Sequence, residues 1–98
     1  MNWAEIIVQA LKNWDTSLIA YVPDISIHQV TGLIEADPFF HLVSCTREEE
    51  AIGIAVGMSL SQSNSLVFMQ NAGFANSLST ITSLVQLYKI PIIFLIGW

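Results

Sequence analysis

Charged residues are scarce in this sequence, and basic residues are the scarcest of all. Only 11% of the 98 residues are charged, and three Lys and Arg residues stand against eight Asp and Glu residues, for a formal net charge of −5. A nucleic-acid-binding domain would normally carry a basic stripe or patch. We therefore expect no nucleic acid among the partners of this protein.

Cysteine and long apolar runs are also rare. The single cysteine, Cys45, excludes an intrachain disulfide and any metal site built from several cysteines, and it fits a reducing, cytoplasmic setting. The longest strongly apolar stretch, 90–98, reaches about half of the roughly 20 residues that a membrane-spanning helix needs. The start of the chain lacks the basic, apolar and small-residue pattern of a signal peptide. We expect no membrane partner.

Apolar residues, in contrast, are abundant. They make up 53% of a chain that is long enough for one small domain only. A domain of this size buries a modest fraction of its surface, so this apolar content exceeds what a free-standing fold needs. The surplus predicts surfaces that further chain or a partner subunit covers.

Apolar runs of strand length alternate with helical periodicity along the whole chain. The predicted strands are 18–22, 41–45, 66–70 and 91–96, and the predicted helices are 1–14, about 26–35, 47–62 and 76–88. This alternation predicts βαβ units and an α/β fold with three layers (α/β/α) around a parallel sheet. Because the last strand runs to the end of the sequence without a covering helix, we expect residues 1–98 to be a C-terminally truncated domain.

Three polar segments follow the first three predicted strands. They are Pro23–Ser26, Thr46–Glu50 and Gln70–Gly73. In open α/β sheets, ligands bind beyond the carboxyl ends of the strands. The candidate site is therefore expected at this edge of the sheet.

The three consecutive glutamates Glu48–Glu50 allow two interpretations. Acids in the first turn of a helix interact favourably with the helix dipole, each by roughly 0.3–1 kcal/mol, and Thr46 with Glu49 has the spacing of a capping box. The small residues Gly53 and Gly57 favour a second, functional interpretation, because glycine costs roughly 1 kcal/mol relative to alanine inside a helix. We expect another element to pack very closely against this helix.

The residues of three segments resemble one family. Residues 46–57 (TREEEAIGIAVG) are similar to the glutamate-bearing helix start in the pyrimidine-binding domains of thiamine-diphosphate enzymes. Residues 69–78 (MQNAGFANSL) are similar to the loop and helix after the third strand, and 88–91 (YKIP) to the segment before the fourth. In this order, the segments most resemble the alpha subunit of sulfopyruvate decarboxylase, and also phosphonopyruvate decarboxylase. The resemblance extends from about residue 22 to residue 97.

The resemblance implies a role for one glutamate. In the family, this side chain donates a hydrogen bond to N1′ of the cofactor's aminopyrimidine, and a desolvated site that raises its pKa would keep the required proton in place. Counting back from Gly57, Glu48 matches the catalytic position. Glu49 is the alternative, and Glu50 is expected to serve the helix end.

The resemblance also implies residues around the cofactor. Gln70, Asn71, Gly73 and Asn76 are expected to line the pyrimidine pocket, with Gly73 allowing close backbone approach or a positive φ. Asn76 could instead cap the following helix. The sequence departs slightly from the family pattern at Ala75, where relatives often have glycine.

Three residues after the first strand match positions on the substrate side of the family site. Asp24, Ser26 and His28 are these candidates. The simpler interpretation, which we favour, is that Asp24 and Ser26 cap a helix and that His28 is exposed. Cys45 is expected to be a small buried hydrophobic residue, since no partner base is evident.

The implied activity is decarboxylation of a 2-oxoacid such as 3-sulfopyruvate. Phosphonopyruvate decarboxylation is one alternative, and a non-catalytic flavodoxin-like binding module is another. The sequence lacks the Gly-Asp-Gly and distant Asn with which these enzymes hold Mg²⁺ and the diphosphate, so no metal site is expected in this chain. A diphosphate-binding beta subunit or domain would supply both, in a hetero-oligomer.

Overall fold

The computed structural model describes residues 1–97, which alternate between strands and helices. In chain order the elements are α1 Trp3–Asn13, β1 Leu18–Tyr21, a 3₁₀-helix Ile25–Ile27, α2 His28–Glu35, β2 His41–Ser44, α3 Glu48–Leu60, β3 Ser65–Gln70, α4 Asn71–Asn76, α5 Leu78–Thr80, a π-helix Ile81–Gln86 and β4 Ile93–Gly97. The strands follow the predicted ones to within a few residues.

The strands form a parallel sheet in the order β2-β1-β3-β4. In the register, Leu18 lies opposite His41 on one side and Ser65 on the other, and Gln70 lies opposite Gly97. Every strand therefore ends at the same edge of the sheet, as the pattern of βαβ units predicts.

Alternate residues of β3 belong to two separate cores. Leu66 and Phe68 pack in one core with buried side chains of α1 and α2, whereas Val67 and Met69 pack in the other with α3 and the π-helix. Because successive side chains of a strand point to opposite faces, this alternation places helices on both sides of the sheet. The predicted three-layer α/β/α architecture is confirmed.

The segment after β3 differs from the prediction. Residues 71–75 were expected to form a loop before one continuous helix at 76–88, but α4 begins immediately after the strand, with Gln70 as its N-cap. Helical structure is then interrupted at Ser77 (φ −98°, ψ 4°) and continues through α5 into the π-helix. Asn71 and Gly73 have the residue types of a turn, yet Gly73 is buried against another helix, and that packing favours the early start.

Three helical segments end in left-handed residues that are not glycine. Asp15, Gln62 and Lys89 have φ values of 53°, 65° and 54°. After α3, Ser63 N–H donates to the Met58 carbonyl (3.0 Å) and Gln62 N–H to the Ser59 carbonyl (2.9 Å), which is the hydrogen-bond pattern of a Schellman motif. These ends are positions where glycine would be favoured.

The expected close packing against Gly53 and Gly57 is not found among residues 1–97. A Cβ atom added at either glycine would meet no atom within 4 Å. Both glycines are exposed on α3, and the nearby Leu60 is 73% exposed. An α-helix this apolar on all sides is usually covered on all sides. Within the described part of the chain, no helix combines the length and apolar character needed to cross a membrane.

Candidate functional site

The polar segments that follow β1, β2 and β3 meet at one edge of the sheet. Gly97, opposite Gln70 in the register, also contacts the segment after β1. A Cβ atom added at Gly97 would lie 3.1 Å from the Ser26 Cβ and 3.4 Å from Asp24 Oδ2. The predicted meeting of these polar segments at one edge of the sheet is confirmed, and ligand binding at this edge stays a prediction.

The start of α3 lies one residue later than predicted. Arg47, in extended conformation, is the N-cap and makes no side-chain capping bond, so the predicted N-cap Thr46 is wrong. Glu50 consequently occupies the third helical position, and its Oε1 accepts a hydrogen bond from Thr46 N–H at 3.0 Å. This is the helix-end role expected for Glu50. The predicted capping box between Thr46 and Glu49 is not formed, and Glu50 makes the bond to Thr46 N–H instead.

Glu49 is held by two partners. Arg47 Nη2 donates to Glu49 Oε2 at 2.8 Å, and the buried Ser77 Oγ donates to Glu49 Oε1 at 3.4 Å. The hydrogen bond from Arg47 lowers the pKa of the Glu49 carboxyl, and its charge and the Ser77 hydroxyl act in the same direction. Glu49 is therefore set up as a stable carboxylate.

Glu48 lies in a different environment. Its side chain is half-buried, and among residues 1–97 its carboxyl makes no ion pair or hydrogen bond to a side chain. It lies directly over Gly73: a Cβ atom added there would be 2.5 Å from Glu48 Cδ and 2.6 Å from Oε2. Of the three glutamates, Glu48 has the carboxyl that is least engaged by the protein itself.

Gly73 has a role that the sequence prediction described only in part. It was expected to adopt a positive φ or to let the backbone approach a ligand closely. No glycine among residues 1–97 has a positive φ, so that alternative is wrong. The close approach exists, but the approaching group is the Glu48 side chain.

The other candidate cofactor residues surround the start and end of α4. Gln70 is exposed at the end of β3, Asn71 is half-buried as the first residue of α4, and Asn76 is exposed at its last turn. The next helix has Ser77 as its N-cap, without a side-chain capping bond. Asn76 therefore does not cap it, and its contact with a ligand stays a prediction.

Asp24 and His28 have local hydrogen bonds. Asp24 caps the 3₁₀-helix by accepting from Ser26 N–H at 3.2 Å, and it also accepts from the Ser26 hydroxyl. His28 is exposed, and its Nδ1 donates to the Ile25 carbonyl at 2.6 Å. The capping interpretation of Asp24 is confirmed, whereas Ser26 donates to the cap and is not the cap itself.

The same segment forms a wall of a cavity of about 500 Å³. Its lining residues are Tyr21, Pro23, Asp24, Ile25, His28 and Thr31. Tyr21 and Thr31 were missed by sequence reasoning, although Thr31 lies one helical turn after His28 and so shares its face. The cavity brings Asp24 and His28 together at the carboxyl end of β1, with Ser26 beside it.

Cys45 directly follows β2 and carries a buried thiol, as predicted. Burial raises the pKa of the Cys45 thiol, and the charge of Glu50 adds to this effect. Within residues 1–97, no three His, Cys, Asp or Glu side chains are grouped so that they could share a metal ion.

Comparison with known proteins identifies the family. The sequence matches the thiamine pyrophosphate enzyme N-terminal TPP binding domain over residues 1–98. The chain belongs to this family. As a thiamine pyrophosphate enzyme N-terminal domain, it has the parallel three-layer fold expected for the resemblance.

Several curated relatives of this TPP binding domain are decarboxylase subunits. The chain is 34% identical to the sulfopyruvate decarboxylase subunit alpha of Methanococcus maripaludis over 97 residues, which are 99% of this chain and 58% of the relative. It is 37% identical to that of Methanocaldococcus jannaschii, over 99% of this chain and 57% of the relative. Phosphonopyruvate decarboxylase of Streptomyces viridochromogenes is 26% identical over the full chain and 25% of the relative. The chain thus spans a little over half of the alpha subunits that it matches.

The side chains at the sheet edge fit the aminopyrimidine half of thiamine diphosphate. The half-buried Glu48 side chain lies over Gly73 of α4, and Gln70 and Asn71 at the start of the same helix carry amides that can both donate and accept hydrogen bonds. For the diphosphate and its metal, the described residues offer no matching cluster of oxygen ligands.

Proposed function

We propose that this protein is the pyrimidine-binding part of a thiamine-diphosphate-dependent 2-oxoacid decarboxylase, with 3-sulfopyruvate as its substrate. The observation that carries the proposal is the side chain of Glu48, which lies at the carboxyl edge of the sheet without a partner among residues 1–97. The likeness to sulfopyruvate decarboxylase alpha subunits over 99% of the chain supports the substrate class.

In this proposal, the three glutamates at the start of α3 have separate tasks. Glu48 would hold the bound aminopyrimidine through a hydrogen bond from its carboxyl to N1′. Glu49 stays ionised, because Arg47 and Ser77 bind its carboxylate. Glu50 satisfies the Thr46 N–H at the helix start. When bound, thiamine diphosphate supplies the electron sink that decarboxylation needs.

Gln70, Asn71 and Asn76 are proposed to orient the aminopyrimidine through their amide groups. Gln70 and Asn76 are exposed and Asn71 is half-buried, so their amides are open to a ligand at this edge. Gly73 leaves room beside them for the Glu48 side chain.

The cavity at the end of β1 is the proposed subsite for the anionic substrate. His28 contributes to its wall, and its Nδ1 is already bonded to the Ile25 carbonyl. A proton on the other ring nitrogen, Nε2, would give a cationic donor for a carboxylate or sulfonate.

The proposal includes a partner. A beta subunit or second domain would hold the diphosphate and Mg²⁺, and the result would be a hetero-oligomer. The exposed glycine-bearing face of α3 and the exposed Leu60 are consistent with burial by another subunit. A cytoplasmic setting is part of this proposal, since the lone Cys45 has no cysteine partner in the sequence.

Calorimetry and carbon dioxide release test the proposal. The 98-residue chain alone, with Mg²⁺, is expected to bind thiamine diphosphate weakly, because the diphosphate and metal contribute much of the affinity through charge-assisted contacts. Combined with a diphosphate-binding subunit of a sulfopyruvate decarboxylase, it should release carbon dioxide from 3-sulfopyruvate. Sub-micromolar binding by the chain alone would contradict the need for a partner.

Competition between 3-sulfopyruvate and phosphonopyruvate as substrates separates the alternative functions. Preference for phosphonopyruvate over 3-sulfopyruvate would favour the phosphonopyruvate decarboxylase alternative. Failure of the assembled protein to bind thiamine diphosphate at all would leave a non-catalytic, flavodoxin-like binding module as the better interpretation.

A further inference from the structure

Two buried residues, one in α4 and one directly after it, contact two of the three glutamates in different ways. Gly73 and Ser77 are four residues apart, so they lie on one face of this helical segment, and both are buried. Ser77 donates a hydrogen bond to Glu49, whereas Gly73 contacts Glu48 through the space where a side chain would otherwise be.

The contact at Gly73 leaves no room for even one methyl group. An added Cβ would lie 2.5 Å from both Cγ and Cδ of Glu48 and 2.6 Å from Oε2. These separations are well below van der Waals contact, which begins at about 3.5 Å between carbon atoms. Gly32 and Gly53 are also helical glycines, yet a Cβ at either would meet nothing within 4 Å. Among the helical glycines of residues 1–97, the tight space is therefore specific to Gly73.

We propose that Gly73 is a positioning residue for Glu48: its missing side chain creates the slot that holds the Glu48 carboxyl at the sheet edge. This inference rests on the proposed function, in which Glu48 serves the aminopyrimidine. Alanine at residue 73 would force the Glu48 side chain to rotate out of the slot by about 1 Å or more. Displacements of this size in a reacting group can cost about a hundredfold in rate.

The first test locates the Glu48 carboxyl without the cofactor. In the cofactor-free assembled protein, carbodiimide-driven amidation of each glutamate is followed by peptide mass spectrometry. Gly73→Ala should make Glu48 react at least about threefold faster, because its carboxyl moves from a half-buried slot toward water, with Glu50 as the internal reference. Gly32→Ala is the matched control and should change neither rate. An unchanged Glu48 rate in Gly73→Ala would overturn the proposal.

The second test distinguishes positioning from a general structural role. Hydrogen–deuterium exchange at C2 of bound thiamine diphosphate should slow at least tenfold in Gly73→Ala. In a Glu48→Gln background the same substitution should slow it by less than about threefold, because the carboxyl to be positioned is already gone. Equal slowing in both backgrounds would overturn the role of Gly73 and leave the proposed function standing. Normal exchange in the single variant Glu48→Gln would instead contradict the proposed function. The amidation result would still show whether Gly73 positions the Glu48 carboxyl.

A folding failure would also be informative. If Gly73→Ala does not assemble, the double variant Glu48→Ala/Gly73→Ala removes the atoms that the new methyl group meets. Recovery of assembly would support the slot, and continued failure would overturn it.

Discussion

Replacement of Glu48 with glutamine tests the role of the carboxyl proton, because it removes this proton and leaves the shape of the side chain nearly unchanged. Glutamine has nearly the same volume and fits the same space over Gly73, where the Glu48 Cγ and Cδ atoms lie. Its amide can donate a hydrogen bond, but it cannot exchange a proton with N1′ of an aminopyrimidine. We expect turnover in the assembled protein to fall at least a hundredfold, which corresponds to about 2.8 kcal/mol of barrier at roughly 1.4 kcal/mol for each tenfold loss.

The neighbouring glutamates provide matched controls, and the structure sets the expected size of their effects. Glu50→Gln keeps an oxygen that can accept from Thr46 N–H, so only the interaction of a negative charge with the helix start is lost, at less than about 1 kcal/mol of stability. Glu49→Gln removes the charge that pairs with the mostly exposed Arg47. Both variants should retain turnover near that of the unmodified protein.

The assay is hydrogen–deuterium exchange at the thiazolium C2 of the bound cofactor, measured with thermal unfolding of each variant as the check on assembly. Exchange should slow in Glu48→Gln alone. If Glu48→Gln exchanges at the normal rate while Glu49→Gln does not, the assignment of the glutamate is off by one position. If all three variants exchange normally, the catalytic interpretation of α3 fails.

Two further predictions concern stability. Gln62→Gly should raise the free energy of unfolding by about 0.5–1 kcal/mol, because the φ of 65° favours glycine, whereas the control Ser63→Gly should lower it; urea titration of both variants checks this. Burial raises the pKa of the Cys45 thiol in the folded protein. The neutral thiol therefore contributes fully to stability below the ordinary thiol pKa of about 8.5, and this contribution is lost as the pH rises through the raised value. Cys45→Ala should remove that component, and a pH-dependent urea series in which both proteins lose stability equally between pH 8 and 10 would contradict the argument.

The pattern of apolar and polar residues was sufficient to predict the layers of the fold. The apolar strands and the helical periodicity of α1 are local features, and parallel pairing follows from the alternation of strands and helices. The segment around Gly73 was not predictable in the same way. Glycine and asparagine there have the local signal of a loop, while the contact with Glu48, 25 positions earlier in the chain, accounts for a glycine inside a helix. No local signal reports such a distant contact.

At the start of α3, too, some features could be predicted from local sequence and others depended on distant contacts. Thr46 and Glu49 have capping-box spacing, but the extended Arg47 shifts the helix by one residue and gives the capping bond to Glu50. The Glu49 side chain instead contacts Ser77, which directly follows α4, and these two residues are 28 positions apart in the chain. The order of the glutamates could be read from the sequence, and their separate environments could not.

By itself, the sequence determined the α/β class, the parallel sheet, the edge at which the polar segments meet and, through its resemblance to thiamine-diphosphate enzymes, Glu48 as the candidate. Periodicity and strand ends are properties of short stretches of chain, so they can be read without coordinates. Only the tertiary structure decided which glutamate is bound by Arg47 and Ser77, which one lies over Gly73, and that a cavity opens beside His28. These features depend on side chains brought together from separate elements, where differences of about 1 Å decide whether a group is held, displaced or left open to a ligand.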